Sequence, residues 1–277
     1  MQFTHHFTVS ELTLAALSNT AHIDQPVLCL HGWLDNAASF IPLAAHLPQL
    51  PLLALEFPGH GHSSHRSAGA NYYFFDWVQD LVALCRVQRW QGLTIIAHSM
   101  GAMVATALAA SFPELVSRLI LIDSLGFVTD TAEHAATQLR QGIDSRLKGP
   151  SRQLHYATLQ AAAAARQKQS DFGLHEAMLL AERGTIQNEQ GLRWRADMRL
   201  RHSSVYRMTP EQAIALCNAV NCPVLSILAT DSHFYDKATD SARHYQQLTI
   251  QTLTGGHHCH MTSPQQVAGF VSDFLQR

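Results

Sequence analysis

The feature that most constrains the fold of this chain is a regular alternation between short apolar runs and longer amphipathic segments. Continuous apolar runs typical of buried strands occur at 26–32, 52–57, 93–97 and 118–123, with helical patterns between them. Such alternation is typical of a parallel sheet that carries helices on both faces. The sequence therefore predicts an α/β fold around a mostly parallel central sheet.

Further strands are predicted near both ends of the chain. Segments 2–8 and 11–18 alternate apolar and polar residues, as half-buried strands do, and buried-strand patterns return at 223–230 and 248–253. Counted from the N-terminus, 118–123 is then the sixth strand. The alternation stops after this strand, so an insertion is expected there.

The insertion occupies residues 126–207, where no buried-strand pattern is found. Its Ala-rich stretches predict an all-helical cap, or lid, within an α/β core formed by 1–125 and 208–277. Because open α/β sheets bind ligands at the carboxyl ends of their strands, we expect the insertion to cover that edge and to shape a substrate pocket.

Helix boundaries are predicted from capping residues. In the insertion, helices are expected at 154–169 and 170–184, the second capped by Ser170 and ended by Gly184. In the core, Asp35 is expected to cap the helix that follows the first buried strand.

Composition excludes several classes of protein. Apolar residues make up 47% of the chain and charged residues 14%, and 19 basic residues balance 21 acidic ones, so neither disorder nor a nucleic-acid or membrane surface is indicated. The odd number of cysteines, five, argues against a disulfide framework. We find no signal peptide and no apolar run long enough to span a membrane, so a cytoplasmic protein with a small-molecule partner is expected.

The strongest candidate for chemistry is Ser99. It lies in the motif Ala97-His98-Ser99-Met100-Gly101, after a predicted strand and before a buried helix. This is the context of a nucleophile elbow, in which the backbone N–H of the next residue, Met100, faces a developing oxyanion. The alternative is a serine in an ordinary turn between strand and helix.

A second oxyanion donor is predicted in the loop after the first buried strand. The sequence His31-Gly32-Trp33 lies there, and the backbone N–H of Trp33 is the natural donor. The alternative is that Gly32 only allows a turn.

A late histidine is expected to be the base. The sequence resembles the α/β-hydrolase family, whose members carry a Gly-His pair seven residues before a proline, and His257 has this spacing from Pro264. A zinc site formed by His257, His258 and His260 is the alternative, but adjacent histidines rarely face the same side. We therefore expect no metal and no cofactor.

The acid partner of this histidine is left open by the residues themselves. Asp123 ends the strand before the insertion, and Asp231 ends the strand after it. The later position is the commoner one in the superfamily, although the usual spacing would place the acid at Ser232. Both aspartates therefore remain candidates on spacing alone.

A closer resemblance bears on this choice. The stretches HGWLDNAASF (31–40), PGHGHSSH (58–65) and ERGT (182–185) look like those of the serine hydrolase-like proteins, in which an aspartate matches Asp123. The resemblance therefore favours Asp123. Separately, residues 56–63 resemble a structural turn of the α/β-hydrolase family, with Glu56 where that family has aspartate.

The resemblance implies a serine hydrolase that cleaves a small ester through an acyl-enzyme, without a cofactor. A thioesterase, a lactonase or a carbon–carbon bond hydrolase would use the same residues, and a weakly active ligand-binding protein is a further alternative. Substrate-binding residues are expected among the aromatic side chains near the insertion, namely Trp33, Phe127, Phe172 and Trp194. The oligomeric state is left open.

Overall fold

The chain folds around one large sheet. The computed structural model describes residues 1–149 and 153–277. In chain order its strands are β1 (Phe3–Val9), β2 (Leu12–Ser18), β3 (Val27–Leu30), β4 (Leu52–Leu55), β5 (Leu93–His98), β6 (Val116–Ile122), β7 (Thr185–Asn188), β8 (Gly191–Trp194), β9 (Val224–Ala229) and β10 (Leu248–Leu253). Eight of them form the sheet in the order β1-β2-β4-β3-β5-β6-β9-β10.

The sheet is mostly parallel, as predicted. Strands β4, β3, β5, β6, β9 and β10 run parallel to one another, and β1 and β2 add an antiparallel edge. The central strands β3 and β4 are buried along their whole length because helices pack on both faces. The predicted α/β fold is confirmed.

The helices divide between the two faces. In chain order they are α1 (Ile41–Ala45), α2 (Phe74–Gln88), α3 (Met100–Ser111), α4 (Ala135–Leu147), α5 (Leu159–Gln167), α6 (Leu174–Gly184), α7 (Pro210–Asn218), α8 (Tyr235–Ser241), α9 (Cys259–Thr262) and α10 (Pro264–Leu275). One apolar core lies beneath α2, α3 and α7, and the other beneath α1 and α10. Within the described residues, no helix combines the length and the apolarity needed to cross a bilayer.

The insertion follows β6 but is not all-helical, so that prediction is wrong. It contains α4, α5, α6 and an antiparallel hairpin of β7 and β8, in which Thr185 pairs with Trp194 and Asn188 pairs with Gly191. Each strand has four residues and only partial burial, which leaves little apolar alternation to detect. The turn depends on Gly191, whose φ of +122° is in a region that favours glycine.

Two predicted caps and one predicted helix start are also corrected. Helix α6 begins after Gly173 rather than at Ser170. Helix α5 begins later than predicted, and the side chain of Thr158 caps it. In the core, Asn36 rather than Asp35 accepts the capping hydrogen bond. Asp35 is not free to cap this turn because its carboxylate is engaged in ion pairs, described below.

Candidate active site

Ser99 lies on a tight turn between β5 and α3. Its φ of +52° is in the left-handed region, which non-glycine residues adopt only under constraint. The following helix packs so closely that a Cβ on Gly101 would lie 2.3 Å from the carbonyl oxygen of Leu30. Ser99 is half-buried, whereas Ala97 and His98, the two residues before it, are fully buried. The turn thus presents the serine hydroxyl above the sheet, as the elbow motif predicts.

Three side chains meet at this edge of the sheet. The Oγ of Ser99 lies 2.9 Å from Nε2 of His257, and Nδ1 of the same ring lies 2.6 Å from Oδ2 of Asp123. Ser99 and Asp123 follow the neighbouring strands β5 and β6, and His257 comes from the loop after β10. The structure therefore brings together the predicted nucleophile, the predicted base and one of the two candidate acids.

Asp123 is held rigidly and is fully buried. Its Oδ1 accepts a hydrogen bond from the backbone N–H of Ala229 at 3.0 Å, and its Oδ2 accepts one from Oγ of Ser232 at 2.5 Å. With the contact to His257, both carboxylate oxygens are satisfied, which offsets the cost of burying the charge. Asp123 is thus fixed to orient an imidazole.

The other candidate acid, Asp231, does not join this group. Its residue is exposed, and its Oδ1 accepts a hydrogen bond from Oγ1 of Thr230 at 3.2 Å. Its backbone N–H donates to the carbonyl of Gly255, which fixes the end of β9 against the loop that carries His257. Ser232, the position that the usual spacing indicates for the acid, instead donates to Asp123.

The two predicted oxyanion donors have backbone N–H groups that remain available. Among residues 1–149 and 153–277, neither the N–H of Trp33 nor that of Met100 donates a backbone hydrogen bond. Met100 is the first residue of α3, where helix N–H groups lack partners within the helix. Both groups are therefore free to bind an incoming oxygen.

The aromatic residues predicted to bind substrate lie in different surroundings. Phe127 belongs to the main core, with its ring 6.1 Å from that of Phe74. Phe172 is also buried and packs edge-on against His258, next to His257 in the chain. Trp33 is 48% exposed, and Trp194 is half-buried beside a small apolar cluster of the insertion. Trp33 is thus the most accessible of these side chains.

Several polar contacts join the insertion to the core. The indole of Trp33 donates to the carbonyl of Leu200 at 3.1 Å, and the hydroxyl of Tyr72 donates to Asp197 at 2.9 Å. The amide of Asn36 donates to the carbonyl of Leu180 at 3.0 Å. The insertion is therefore fastened to the core by hydrogen bonds as well as by apolar packing.

The contact between Arg183 and Glu56 explains two sequence motifs. Glu56 is fully buried, and the guanidinium of Arg183 donates to both of its oxygens, at 2.7 and 2.9 Å. The backbone N–H of His62 also donates to this carboxylate, at 2.8 Å, because Gly61 lies so close that a Cβ would overlap it. The ERGT segment is thus the partner of the turn that begins at Glu56.

A second ion-pair network lies beneath His257. Arg166 donates to Oδ1 of Asp35 at 2.8 Å, and Nε2 of His258 lies 3.4 Å from Oδ2 of the same carboxylate. The other ring nitrogen of His258 lies 2.5 Å from Asp171. Burial alone would lower the pKa of His258, but Asp35 and Asp171 outweigh it and raise the pKa to about 9.

His98 supports the loop of the candidate base. Its Nε2 lies 2.9 Å from the carbonyl oxygen of His257, and since a carbonyl only accepts, this nitrogen carries the hydrogen. Burial, together with the neighbouring histidines, holds the pKa of His98 well below its usual value, so the ring is neutral.

Sequence reasoning missed this support. Ser232, Arg166 and Asp171 were not predicted as partners of site residues, because they act through contacts that only the fold creates. Arg166 is 131 residues from Asp35, and Asp171 is 87 residues from His258. For Ser232 the usual spacing of the acid was an available signal, since it falls on the residue that donates to Asp123.

The chain is similar to proteins of a known family. A sequence model of the α/β hydrolase fold matches residues 25–264. Serine hydrolase-like protein 2 of Homo sapiens is 34% identical over 273 residues, which cover 91% of this chain and 87% of that protein. The serine hydrolase-like protein of Danio rerio is 30% identical over 266 residues, covering 91% of this chain and 82% of that protein.

Solved structures agree over the whole chain. A hypothetical protein from Pseudomonas aeruginosa PAO1 is 34% identical and superposes with a TM-score of 0.93, covering 99% of both chains. The thioesterase domain from the curacin biosynthetic pathway gives a TM-score of 0.84 over 98% of this chain and 99% of that chain. Its identity is 24%, so this likeness concerns the fold alone.

Proposed function

Since the chain belongs to the α/β-hydrolase family, close to the serine hydrolase-like proteins, we propose that it is a serine hydrolase of small ester substrates. One observation carries the proposal: an unbroken hydrogen-bonded path from Ser99 through His257 to Asp123, with donor–acceptor distances of 2.9 and 2.6 Å. These are distances at which a proton can be passed between nucleophile and base.

The first step is attack by Ser99 on the ester carbonyl. His257 takes the hydroxyl proton at Nε2 as the oxygen–carbon bond forms, and Asp123 stabilises the resulting imidazolium through Nδ1. The backbone N–H groups of Trp33 and Met100 bind the oxyanion, and each such donor contributes about 3 kcal/mol to transition-state stabilisation. His257 then gives its proton to the departing alkoxide, which leaves as the alcohol.

The second step releases the acid. Water attacks the acyl-enzyme while His257 takes one of its protons, and the carbon–oxygen bond to Ser99 breaks as His257 returns the proton to the serine. The products are one carboxylic acid and one alcohol, and the enzyme regains its starting state. Every proton is carried by groups of this chain or by water.

The insertion is proposed to act as the lid of this site. The support is that Trp33 donates to Leu200 of the insertion and that Phe172 packs on the residue next to His257. A substrate acyl chain would lie between Trp33 and the insertion, since Trp33 is the most exposed of the candidate aromatic residues. A Trp33→Ala variant should therefore change the preference for chain length.

The proposal is tested by labelling and turnover. The protein is treated with a fluorophosphonate probe, the labelled residue is mapped by mass spectrometry, and p-nitrophenyl esters of increasing chain length are assayed in parallel. We expect a single adduct at Ser99 and measurable turnover. Acyl-thioesters and lactones tested in the same way identify the preferred substrate class.

Two variants make the test specific. Ser99→Ala should abolish labelling and reduce turnover by about 10⁴-fold or more, because loss of the nucleophile removes the covalent route. Ser124→Ala, at a half-buried serine next to Asp123 in the chain, is the matched control and should keep both. If folded Ser99→Ala protein turned over esters at the wild-type rate, the assignment would be wrong.

A further inference from the structure

A buried cluster of potential ligands lies beside the proposed active site. Asp35 follows β3, His98 ends β5, and His258 lies in the loop after β10. One carboxylate oxygen and one nitrogen from each ring lie within 4.8 Å of one another. Two imidazoles and one carboxylate form a donor set that suits divalent transition metals.

One atom of this cluster lacks a partner. Because Nε2 of His98 donates to the carbonyl of His257, Nδ1 carries a lone pair. This Nδ1 is buried and has no hydrogen-bond partner among the described residues. It faces Oδ2 of Asp35 at 3.8 Å. Two acceptor atoms thus face each other, and a cation placed between them would bind both.

His258 is oriented toward the same point. Its Nε2 lies 3.4 Å from Oδ2 of Asp35, while its Nδ1 is hydrogen-bonded to Asp171. Histidines that bind metals usually donate the other ring N–H to a carboxylate or a carbonyl, which fixes the ring. Both rings have such an outer partner here, Asp171 for His258 and the carbonyl of His257 for His98.

The spacing of the ligand atoms fits an ion. Zinc bonds of about 2.1 Å in tetrahedral geometry separate the ligand atoms by about 3.4 Å. The separations measured from Oδ2 of Asp35 are 3.4 and 3.8 Å. The residue beside this gap is Gly32, where a Cβ would lie 2.9 Å from Nδ1 of His98 and 3.2 Å from Oδ2 of Asp35. A side chain at position 32 would therefore crowd both ligand atoms.

We propose that Asp35, His98 and His258 bind one divalent transition-metal ion such as Zn²⁺. No metal was expected from the sequence, because Asp35, His98 and His258 are far apart in the chain and only the fold brings them together. The ion takes the place of the proton that His258 carries between two carboxylates, and that proton is released on binding. The ion would bind Oδ2 of Asp35, while Arg166 keeps its hydrogen bond to Oδ1.

The site is structural rather than part of the proposed chemistry. Its two histidines bracket His257, one through a hydrogen bond to the His257 carbonyl and the other as the next residue in the chain. An ion bound here would join the ends of β3, β5 and β10 into one unit. Bound metal should therefore raise the melting temperature, since it binds only the folded state.

The experiment measures metal binding without reference to activity. Protein freed of metal with a chelator is titrated with Zn²⁺ against a chromophoric competitor, and Co²⁺ is used to record visible absorption bands. We expect one tightly bound ion per chain, a higher melting temperature with Zn²⁺, and Co²⁺ bands of nitrogen and oxygen ligation at low coordination number. The chain has 18 histidines, so stoichiometry alone does not identify the site.

Variants identify the residues that bind the ion. His98→Gln and His258→Gln should each weaken Zn²⁺ binding by more than about 100-fold, and Asp171→Asn, which keeps all three ligands, by about 10- to 100-fold. His233→Gln, at an exposed histidine nearby, is the matched control and should bind as the wild type does. Circular dichroism of metal-free samples checks folding, and Asp171→Asn keeps the test valid if a ligand variant does not fold. Absence of tight binding by the wild type, or binding unchanged in these variants, would overturn the proposal.

Discussion

Arg183 of the insertion neutralises Glu56 of the core by donating to both of its carboxylate oxygens. The glutamate is fully buried, and the guanidinium is nearly so. Replacing both partners of a buried ion pair by apolar residues of similar size changes the free energy of unfolding little. Removing only one partner is costly, because it leaves a buried charge without compensation. The pair therefore makes the conformation of the insertion depend on a core residue that directly follows β4.

Loss of the arginine alone should be costly. Arg183→Met is expected to lower the free energy of unfolding by about 3–5 kcal/mol, because Glu56 keeps its charge without a counterion. Urea denaturation followed by circular dichroism measures the difference. The double variant Glu56→Gln/Arg183→Met should recover part of the loss.

The control for this prediction is Arg140→Met, at an arginine that is 86% exposed and pairs with Asp144 along the same helix. It should change the free energy of unfolding by less than about 0.5 kcal/mol. If both arginine variants lowered the free energy of unfolding equally, the buried pair would contribute no more to stability than the exposed one.

Substitution of the two candidate acids should have different effects on kcat. Asp123→Asn keeps a similar shape but no longer stabilises the imidazolium of His257, so kcat on p-nitrophenyl esters should fall roughly 10⁴-fold. Asp231→Asn should stay within about twofold of the wild type, because that carboxylate contacts Thr230 and not the histidine. The opposite ranking would identify Asp231, rather than Asp123, as the acid.

Ser232 offers a way to move the acid. Its Oγ lies 2.5 Å from the carboxylate oxygen of Asp123 that contacts His257. In Asp123→Asn/Ser232→Asp, the new carboxylate should reach the same ring nitrogen, and Asn tolerates the φ of +46° at position 123. We expect kcat at least tenfold above that of Asp123→Asn alone.

The matched control places the carboxylate one residue further on. Asp123→Asn/His233→Asp should show no recovery, since position 233 is exposed whereas position 232 is buried. Equal recovery in both double variants would point to a general charge effect rather than to a relocated acid.

Asp80 gives a prediction for pH dependence. Burial raises the pKa of Asp80 to about 6, against the opposing effect of Arg66, whose guanidinium lies 2.6 Å away, and with a smaller contribution from Asp76. The folded state thus binds this proton more tightly than the unfolded state, where the pKa is about 3.9. Stability contributed by the protonated group is present at low pH and is lost as pH rises toward 6 and above.

The measurement compares the wild type with Asp80→Asn between pH 4 and 8. The free energy of unfolding of the wild type, relative to the variant, should fall across pH 4 to 6 and level off above about pH 7. A difference that stayed constant, or that rose with pH, would contradict the assigned direction.

The sequence determines the parts of this molecule that depend on local pattern. The strand–turn–helix around Ser99 follows from periodicity and small neighbours, and the predicted α/β-hydrolase fold is confirmed by the sheet and by the family match. The hairpin of β7 and β8 was missed because two four-residue strands with polar exposure carry almost no periodic signal.

Contacts between residues far apart in the chain could not be predicted from local sequence pattern. Asp123 and Asp231 both follow strands that are neighbours in the sheet, so spacing alone does not distinguish them. The two differ in which carboxylate turns inward toward His257. Hydrogen bonds from Ala229 and Ser232 hold the carboxylate of Asp123 in that position.

The contacts between insertion and core have a consequence for engineering and for divergence within the family. Glu56 with Arg183 and Asp35 with Arg166 each have one partner on either side of the insertion boundary. A chimera that receives the insertion of a relative without the matching core residues would bury unpaired carboxylates. The smallest unit that can be exchanged between relatives is therefore the insertion together with the loops after β3 and β4.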